Sequence, residues 1–289
     1  MPRLPVTARA GIRVQQWIAH ALDALPPAAQ VQLSGRPPVE LDGDTLDPAT
    51  QLALAMLERR REPPPETLTP AQARLARRRL SAVYAGKPTP VGAVSDLQLE
   101  HDGAGPTRAR HYAPRELGEP HPLLVYYHGG GFTYGDLDTH DGLCRILCRH
   151  AGAHVLAVDY RLAPEDPFPA AVDDARTALR WAFAHAADLG ADPRRIGVGG
   201  DSAGGNLAAV VSQLAGRDGG PPPVLQLLIY GFHELTEAGI FANSEALHWA
   251  TEPYGPDGVY GQYLSYMLVI LPLGWLTISS LRGTGSSTK

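Results

Sequence analysis

The sequence predicts an α/β fold: a mostly parallel sheet with helices on both faces, preceded by a helical N-terminal region. Three observations carry that expectation. Beyond residue 94, short apolar runs recur between Gly and Pro residues, the pattern of strands buried on both faces. Stretches of helical period lie between those runs, so strands and helices alternate. The first ninety residues, by contrast, hold helical patterning and proline clusters without strand-like runs.

Within 13–25, Val14, Trp17, Ile18, Leu22 and Leu25 form one helical stripe. Asp47-Pro48 and Thr69-Pro70 each read as an N-cap followed by proline at the first helical position, which predicts helices over 48–61 and 70–84. Proline clusters at 26–27, 37–38 and 63–65 separate these helices. Segments 94–100 and 108–112 read as short strands joined by the Asp102-Gly103 turn. The apolar runs 123–127, 155–160, 196–199 and 225–230 follow as strands. A helix is expected over 168–189, where Val172, Ala175, Leu179, Ala182 and Ala186 share a face. No internal repeat is visible. The division that results is a helical region over 1–90, a sheet-and-helix core over 91–235, and a divergent tail over 236–289.

The bulk numbers bound the reading. A chain of 289 residues, 44% hydrophobic and 19% charged, is enough for one large domain or one domain with an appendage. A net charge of −5 gives no electrostatic case for nucleic acid as a partner. The triplets Arg59-Arg60-Arg61 and Arg77-Arg78-Arg79 read as solvated helix faces or helix ends. Cys144 and Cys148, four residues apart, satisfy neither disulfide geometry nor a zinc set and read as core-lining thiols. So few cysteines fit a reducing, cytoplasmic location. The first twenty residues carry charge and no long apolar run, which argues against a secretory signal peptide.

The chemistry is concentrated in two segments. Gly200-Asp201-Ser202-Ala203-Gly204 matches G-x-S-x-G, follows the strand 196–199 and opens a helix through Asn206, Leu207, Val210 and Leu214. A turn that tight lifts the Ser202 hydroxyl above the sheet and aims the amide of Ala203, at the helix start, toward a developing oxyanion. An ordinary strand-to-helix turn is the plain alternative. His128-Gly129-Gly130-Gly131 directly follows the strand 123–127. Its glycines let the backbone approach a ligand, and the amides of Gly129 and Gly130 are the expected oxyanion donors alongside Ala203. A phosphate-cradling loop is the rival idea, but no Gly-Lys-Ser/Thr follows and no G-x-G-x-x-G is present. His128, placed before the glycines, reads as a side chain that braces the loop.

With these residues in place, the sequence resembles the bacterial hormone-sensitive-lipase-like esterases of the α/β-hydrolase superfamily, the group that carries a Gly-Asp-x-Gly elbow. The likeness runs from about residue 35 to 230. Besides the two motifs above, with Phe132 and with Gly205-Asn206, it rests on Gly135-Asp136-Leu137-Asp138-Thr139-His140-Asp141. It rests also on Asp159-Tyr160-Arg161-Leu162-Ala163-Pro164-Glu165 with Phe168-Pro169-Ala170-Ala171. The resemblance implies an α/β-hydrolase core, an N-terminal helical cap over the acyl pocket, and hydrolysis of short-to-medium acyl esters without a metal or organic cofactor. It implies that Asp201 is structural rather than the triad acid, and that Tyr160, Arg161 and Glu165 are scaffold residues. A small-molecule ester is the expected partner, membrane association is disfavoured, and a homodimer stays open.

The acid and base of the triad are unknown from the sequence. A serine esterase needs a histidine to take the Ser202 proton and an acid to orient it, both following the nucleophile in this fold. The family writes them as Asp-Pro-Leu-x-Asp and His-Gly-Phe, and neither occurs after Tyr230, where 59 residues remain. That stretch is too short for the remaining strands, so the C-terminal strands are expected to be missing and activity to be impaired. His233 and His248 are the histidines available there, with Glu234, Glu245, Glu252 and Asp257 as acids. The uncharged stretch 258–281 has the length of a membrane span, but Pro272, Gly274 and several Ser and Thr interrupt it. A non-catalytic small-molecule binder and a truncated or frame-shifted product are the competing readings.

Overall fold

A computed structural model describes residues 6–41, 43–59, 67–100, 105–115, 118 and 120–230. The described residues form two compact units: one holds those up to Ala71 together with Ala82–Tyr84, the other Gln72–Ser81 with those from Ala85 to Tyr230. His233, His248, Glu234, Glu245, Glu252, Asp257 and the stretch 258–281 lie outside the described residues.

The first unit contains helices α1 (Val6–Asp23), α2 (Pro27–Ser34) and α3 (Pro48–Arg59) and a two-stranded antiparallel pair, β1 (Glu40–Leu41) and β2 (Asp44–Thr45). α3 starts where the Asp-Pro signal puts it: Asp47 Oδ1 accepts the N–H of Thr50 at 2.9 Å, supplying one of the amides the first helical turn leaves open. The buried Gln51 side chain ties α3 to the segment after α2. Its Nε2 donates to Ser34 Oγ at 2.8 Å and Pro37 O at 3.1 Å, and its Oε1 accepts the Val39 N–H at 3.1 Å.

Helix α4 (Pro70–Tyr84) contributes its middle to the second unit. The expectation of a solvated Arg77-Arg78-Arg79 face is corrected there for Arg77 and Arg78, while Arg79 is exposed. Arg78 is a mostly buried ion-pair partner of Asp136, and burial lowers the Arg77 guanidinium below its ordinary value against the attraction of Asp201. The face that carries them packs on the loop after the central strand instead of on water.

The second unit is built on six strands: β3 (Ala93–Leu99), β4 (Thr107–Ala113), β5 (His121–Tyr127), β6 (His154–Asp159), β7 (Ala191–Asp201) and β8 (Gln226–Ile229). Their order is β3-β4-β6-β5-β7-β8. β3–β4 and β4–β6 are antiparallel, whereas β6, β5, β7 and β8 run parallel. Side chains alternate across a strand, so the two faces can be told apart at β5. Leu124 and Tyr126 pack with Cys144 and Cys148 of α5 (Asp141–Ala151), while the Tyr127 hydroxyl donates to Ala175 O of α6 (Ala170–His185) at 2.9 Å. α7 (Ala203–Arg217) packs against α6 and β7. Helices thus cover both faces, which is why the stretches 123–127, 155–158 and 196–198 of β5, β6 and β7 read as unbroken apolar runs. Both thiols are buried and free. Among the described residues no helix is long and apolar enough to cross a membrane.

Candidate active site

The sheet register assembles the site. Tyr127 at the end of β5 lies opposite Gly200 near the end of β7, so the loop beginning at His128 and the turn at Ser202 leave the same edge of the sheet side by side. Parallel strands present their carboxyl ends there, the usual place for a ligand in such folds.

Ser202 stands between β7 and α7 at φ 53°, ψ −118°. Its N–H donates to Ile229 O at 2.9 Å, and its carbonyl accepts the Asn206 N–H at 3.1 Å, opening α7. Gly204 is required because a β-carbon there would overlap the Tyr127 carbonyl. The turn therefore presses directly on the end of β5. No acceptor meets the Ala203 N–H among the described residues, as expected in the first turn of a helix.

The glycine loop is gripped from both sides. Asp201, immediately before Ser202, turns its carboxylate away from the elbow and accepts the Gly129 N–H on Oδ1 at 2.9 Å. Gly129 was expected to be an oxyanion donor, and here its amide is already committed; the β5–β7 register brings it against Asp201. Its carbonyl lies 2.9 Å from His128 Nδ1. A carbonyl can only accept, so Nδ1 carries the proton. The next peptide N–H, that of Gly130, shares a planar trans unit with this carbonyl and points the opposite way. Gly130 adopts φ 125°, open to glycine, and its N–H meets no acceptor among the described residues. Gly130 and Ala203, two of the three expected donors, thus have N–H groups that meet no acceptor among the described residues; Gly131, at φ 58°, continues the turn.

His128 is fully enclosed, stacked on Tyr160 with ring centres 4.3 Å apart, and the Tyr160 hydroxyl donates to His128 O at 2.7 Å. Burial, with the neighbouring His140 charge, pushes the His128 imidazole down to about 4, so it is neutral near pH 7. Arg161 and Glu165 fix the segment after β6: Arg161 donates from its backbone and guanidinium to the buried Asp174, and Glu165 receives Arg74.

Asp201 is the most heavily engaged group. Oδ1 also accepts the Tyr126 hydroxyl at 2.6 Å, while Oδ2 lies 3.4 Å from His140 Nε2 and 3.4 Å from the Tyr230 hydroxyl. Burial alone would raise this carboxyl, but the His140 charge and the hydrogen bonds from His140, Tyr126 and Gly129 outweigh it and bring it down to about 2. Tyr126, His140 and Tyr230 were not singled out individually in the sequence; only His140 lay inside a quoted motif. Among the described residues no hydrogen bond joins a histidine to Ser202.

Residues 124–260 match a family described as having the alpha/beta hydrolase fold. The carboxylic ester hydrolase LipN of Mycobacterium tuberculosis is 48% identical over 245 residues, which cover 81% of this chain and 62% of that protein. The carboxylesterase NlhH of the same organism is 50% identical over 147 residues, 49% of this chain and 46% of that one. The chain thus spans between about half and two thirds of these curated relatives. Among solved structures, an ester-hydrolase from the Lake Arreo metagenome, complexed with a bipyridine phosphonate derivative, superposes with a TM-score of 0.61 at 37% identity, covering 71% of this chain and 68% of that one. An esterase of Pyrobaculum calidifontis gives 0.58 at 35% identity, covering 73% and 71%.

Proposed function

Because the chain belongs to the hormone-sensitive-lipase-like carboxylesterases of the α/β-hydrolase fold, we propose that it hydrolyses carboxylic esters with short-to-medium acyl chains through Ser202. The observation that carries this reading is the pair of acceptor-free amides at Gly130 and Ala203, on two segments whose register brings them together at Ser202. Ser202 Oγ attacks the acyl carbon, the carbonyl electrons move onto oxygen, and the two N–H groups stabilise that charge. Collapse expels the leaving oxygen, which takes up the proton given up by Ser202 and departs as the alcohol, leaving the acyl group on Oγ. Water then adds to the acyl carbon, returns a proton to Oγ and releases the acid. No metal or organic cofactor takes part.

The proton leaving Ser202 needs a base. None of the described histidines is hydrogen-bonded to it, and His233 and His248 are candidates without a local motif. Turnover is therefore expected to be slow, at the roughly 10³–10⁴-fold level over water that donors and positioning sustain alone.

The test combines intact-mass detection of a fluorophosphonate adduct with hydrolysis of p-nitrophenyl butyrate. A single adduct on Ser202, lost in Ser202→Ala, with weak hydrolysis is expected. No adduct in the wild type, or one that persists in Ser202→Ala, would overturn the nucleophile assignment. Turnover at ordinary esterase rates would overturn only the impairment. Saturable ester binding without any adduct would favour the non-catalytic binder.

A further inference from the structure

The carboxylate of Asp201 offers about four lone-pair sites, and four donors converge on it: Tyr126, Gly129, His140 and Tyr230. In a buried carboxylate, losing one donor leaves an unsatisfied charge that turns to find another. His140 comes from the N-terminal edge of α5, an element that carries none of the other three, and is itself held in place. Its Nδ1 lies 2.9 Å from Thr139 Oγ1, which accepts the Asp136 N–H at 2.9 Å and also lies 2.9 Å from Asp136 O.

Proton accounting fixes the direction of the His140 bond. Thr139 has one hydroxyl proton for two acceptors, Asp136 O and His140 Nδ1. If His140 receives it, the imidazole is neutral with its own proton on Nε2. If Asp136 receives it, both ring nitrogens carry protons and the ring is a cation facing an anion. The remaining arrangement, a bare Nε2 against a carboxylate, is repulsive. In both acceptable states Nε2–H points at Asp201. Both ring nitrogens are then engaged, so His140 has no free nitrogen with which to deprotonate Ser202. The groups that face it are Asp201 from β7, the His128 ring with its centre 5.3 Å away, and Thr139 beside it.

We propose that His140 is a positioning residue of the oxyanion loop: lodged against Asp201, it keeps that carboxylate turned onto the Gly129 amide and so fixes the peptide that carries the Gly130 donor. This rests on the reading of Ser202 and Gly130 as acylation machinery. His128 grips the carbonyl end of Gly129 and Asp201 its N–H end. His140 acts on the second grip without touching substrate.

The test uses the full chain and two readouts. The first is hydrogen exchange at the Gly129 amide, referenced to the Val125 and Val158 amides in β5 and β6. The second is the rate of fluorophosphonate labelling at Ser202. His140→Ala is expected to speed Gly129 exchange and slow labelling, each about tenfold, the scale of one hydrogen bond to a buried charge. His140→Gln, whose amide nitrogen can stand where Nε2 lies, is expected to recover most of both. Unchanged Gly129 exchange in His140→Ala, or equal losses in the Ala and Gln variants, would overturn the proposal. If the wild type does not label at all, the nucleophile reading fails, and Gly129 exchange alone decides the role of His140.

Discussion

Ser202 holds φ 53°, ψ −118°, a region that crowds a β-carbon. Such a conformation costs about 1–3 kcal/mol and persists only because neighbouring bonds over-determine it. Glycine there would shed that strain, less the roughly 0.5–1 kcal/mol of extra chain entropy that glycine loses on folding. In urea denaturation Ser202→Gly is therefore expected to be about 1 kcal/mol more stable than Ser202→Ala; equal stability of the two would mean that the turn is unstrained. At this scale the sequence exposed what is contiguous. The elbow and the glycine loop are short motifs, so the strand-to-helix turn at Ser202 and the loop at 128–131 could be located directly. The commitment of Gly129 to Asp201, across a separation of 72 residues, could not, because it depends on which strands become neighbours. His140 stayed hidden for the same reason.

Among the elements, the Asp47-Pro48 signal located the start of α3, and the apolar runs located β5 to β8 to within a few residues. Where reading failed, local chemistry had two meanings. Pro26-Pro27 looked like an interruption, yet Pro27 opens α2, since proline suits the first helical turn. β7 begins at Ala191, earlier than its apolar run, because Ala191 pairs with His121 of β5 ahead of the exposed, charged stretch 193–195. The inward turn of Arg78 was invisible because its partner Asp136 lies 58 residues away. In the first unit, α3 and the segment after α2 depend on Gln51. Gln51→Ala would strand the Val39 N–H and the groups that its Nε2 serves, at a cost of about 2 kcal/mol. The check is faster exchange of the Val39 amide and a lower urea midpoint for this unit; an unchanged Val39 amide would show that water replaces the side chain without loss.

The second unit as a whole should lose stability in mild acid. Burial, with the His154 charge, pushes His111 down to about 4, and burial with the His140 charge does the same to His128; His154 is lowered as well. Between their ordinary value of 6.5 and about 4 the unfolded chain binds protons that the folded one refuses, so stability present above pH 6.5 is lost as the pH falls. Asp159, pushed up to about 6 by burial, acts in the opposite sense and offsets part of this. Three imidazoles against one carboxyl leave the net sign unchanged, and Asp201, brought down to about 2, extends the loss further into acid. Urea midpoints are expected to fall steadily from pH 6.5 to 4, less steeply in His111→Gln; a flat or rising profile would contradict the assignment. The strand order has a consequence of another kind. β6 is synthesised after both β4 and β5 yet is inserted between them, with Tyr112 opposite Val155 and Leu124 beside that same residue. A nascent chain must therefore keep β4 and β5 apart until β6 emerges, and β5 waits longer still for β7. Closing loops of that span is slow compared with coiling a helix. β7, which leads into Ser202, and β8 after it are delivered from the ribosome later than the other described strands of this sheet, and exposed strands must be shielded for that interval.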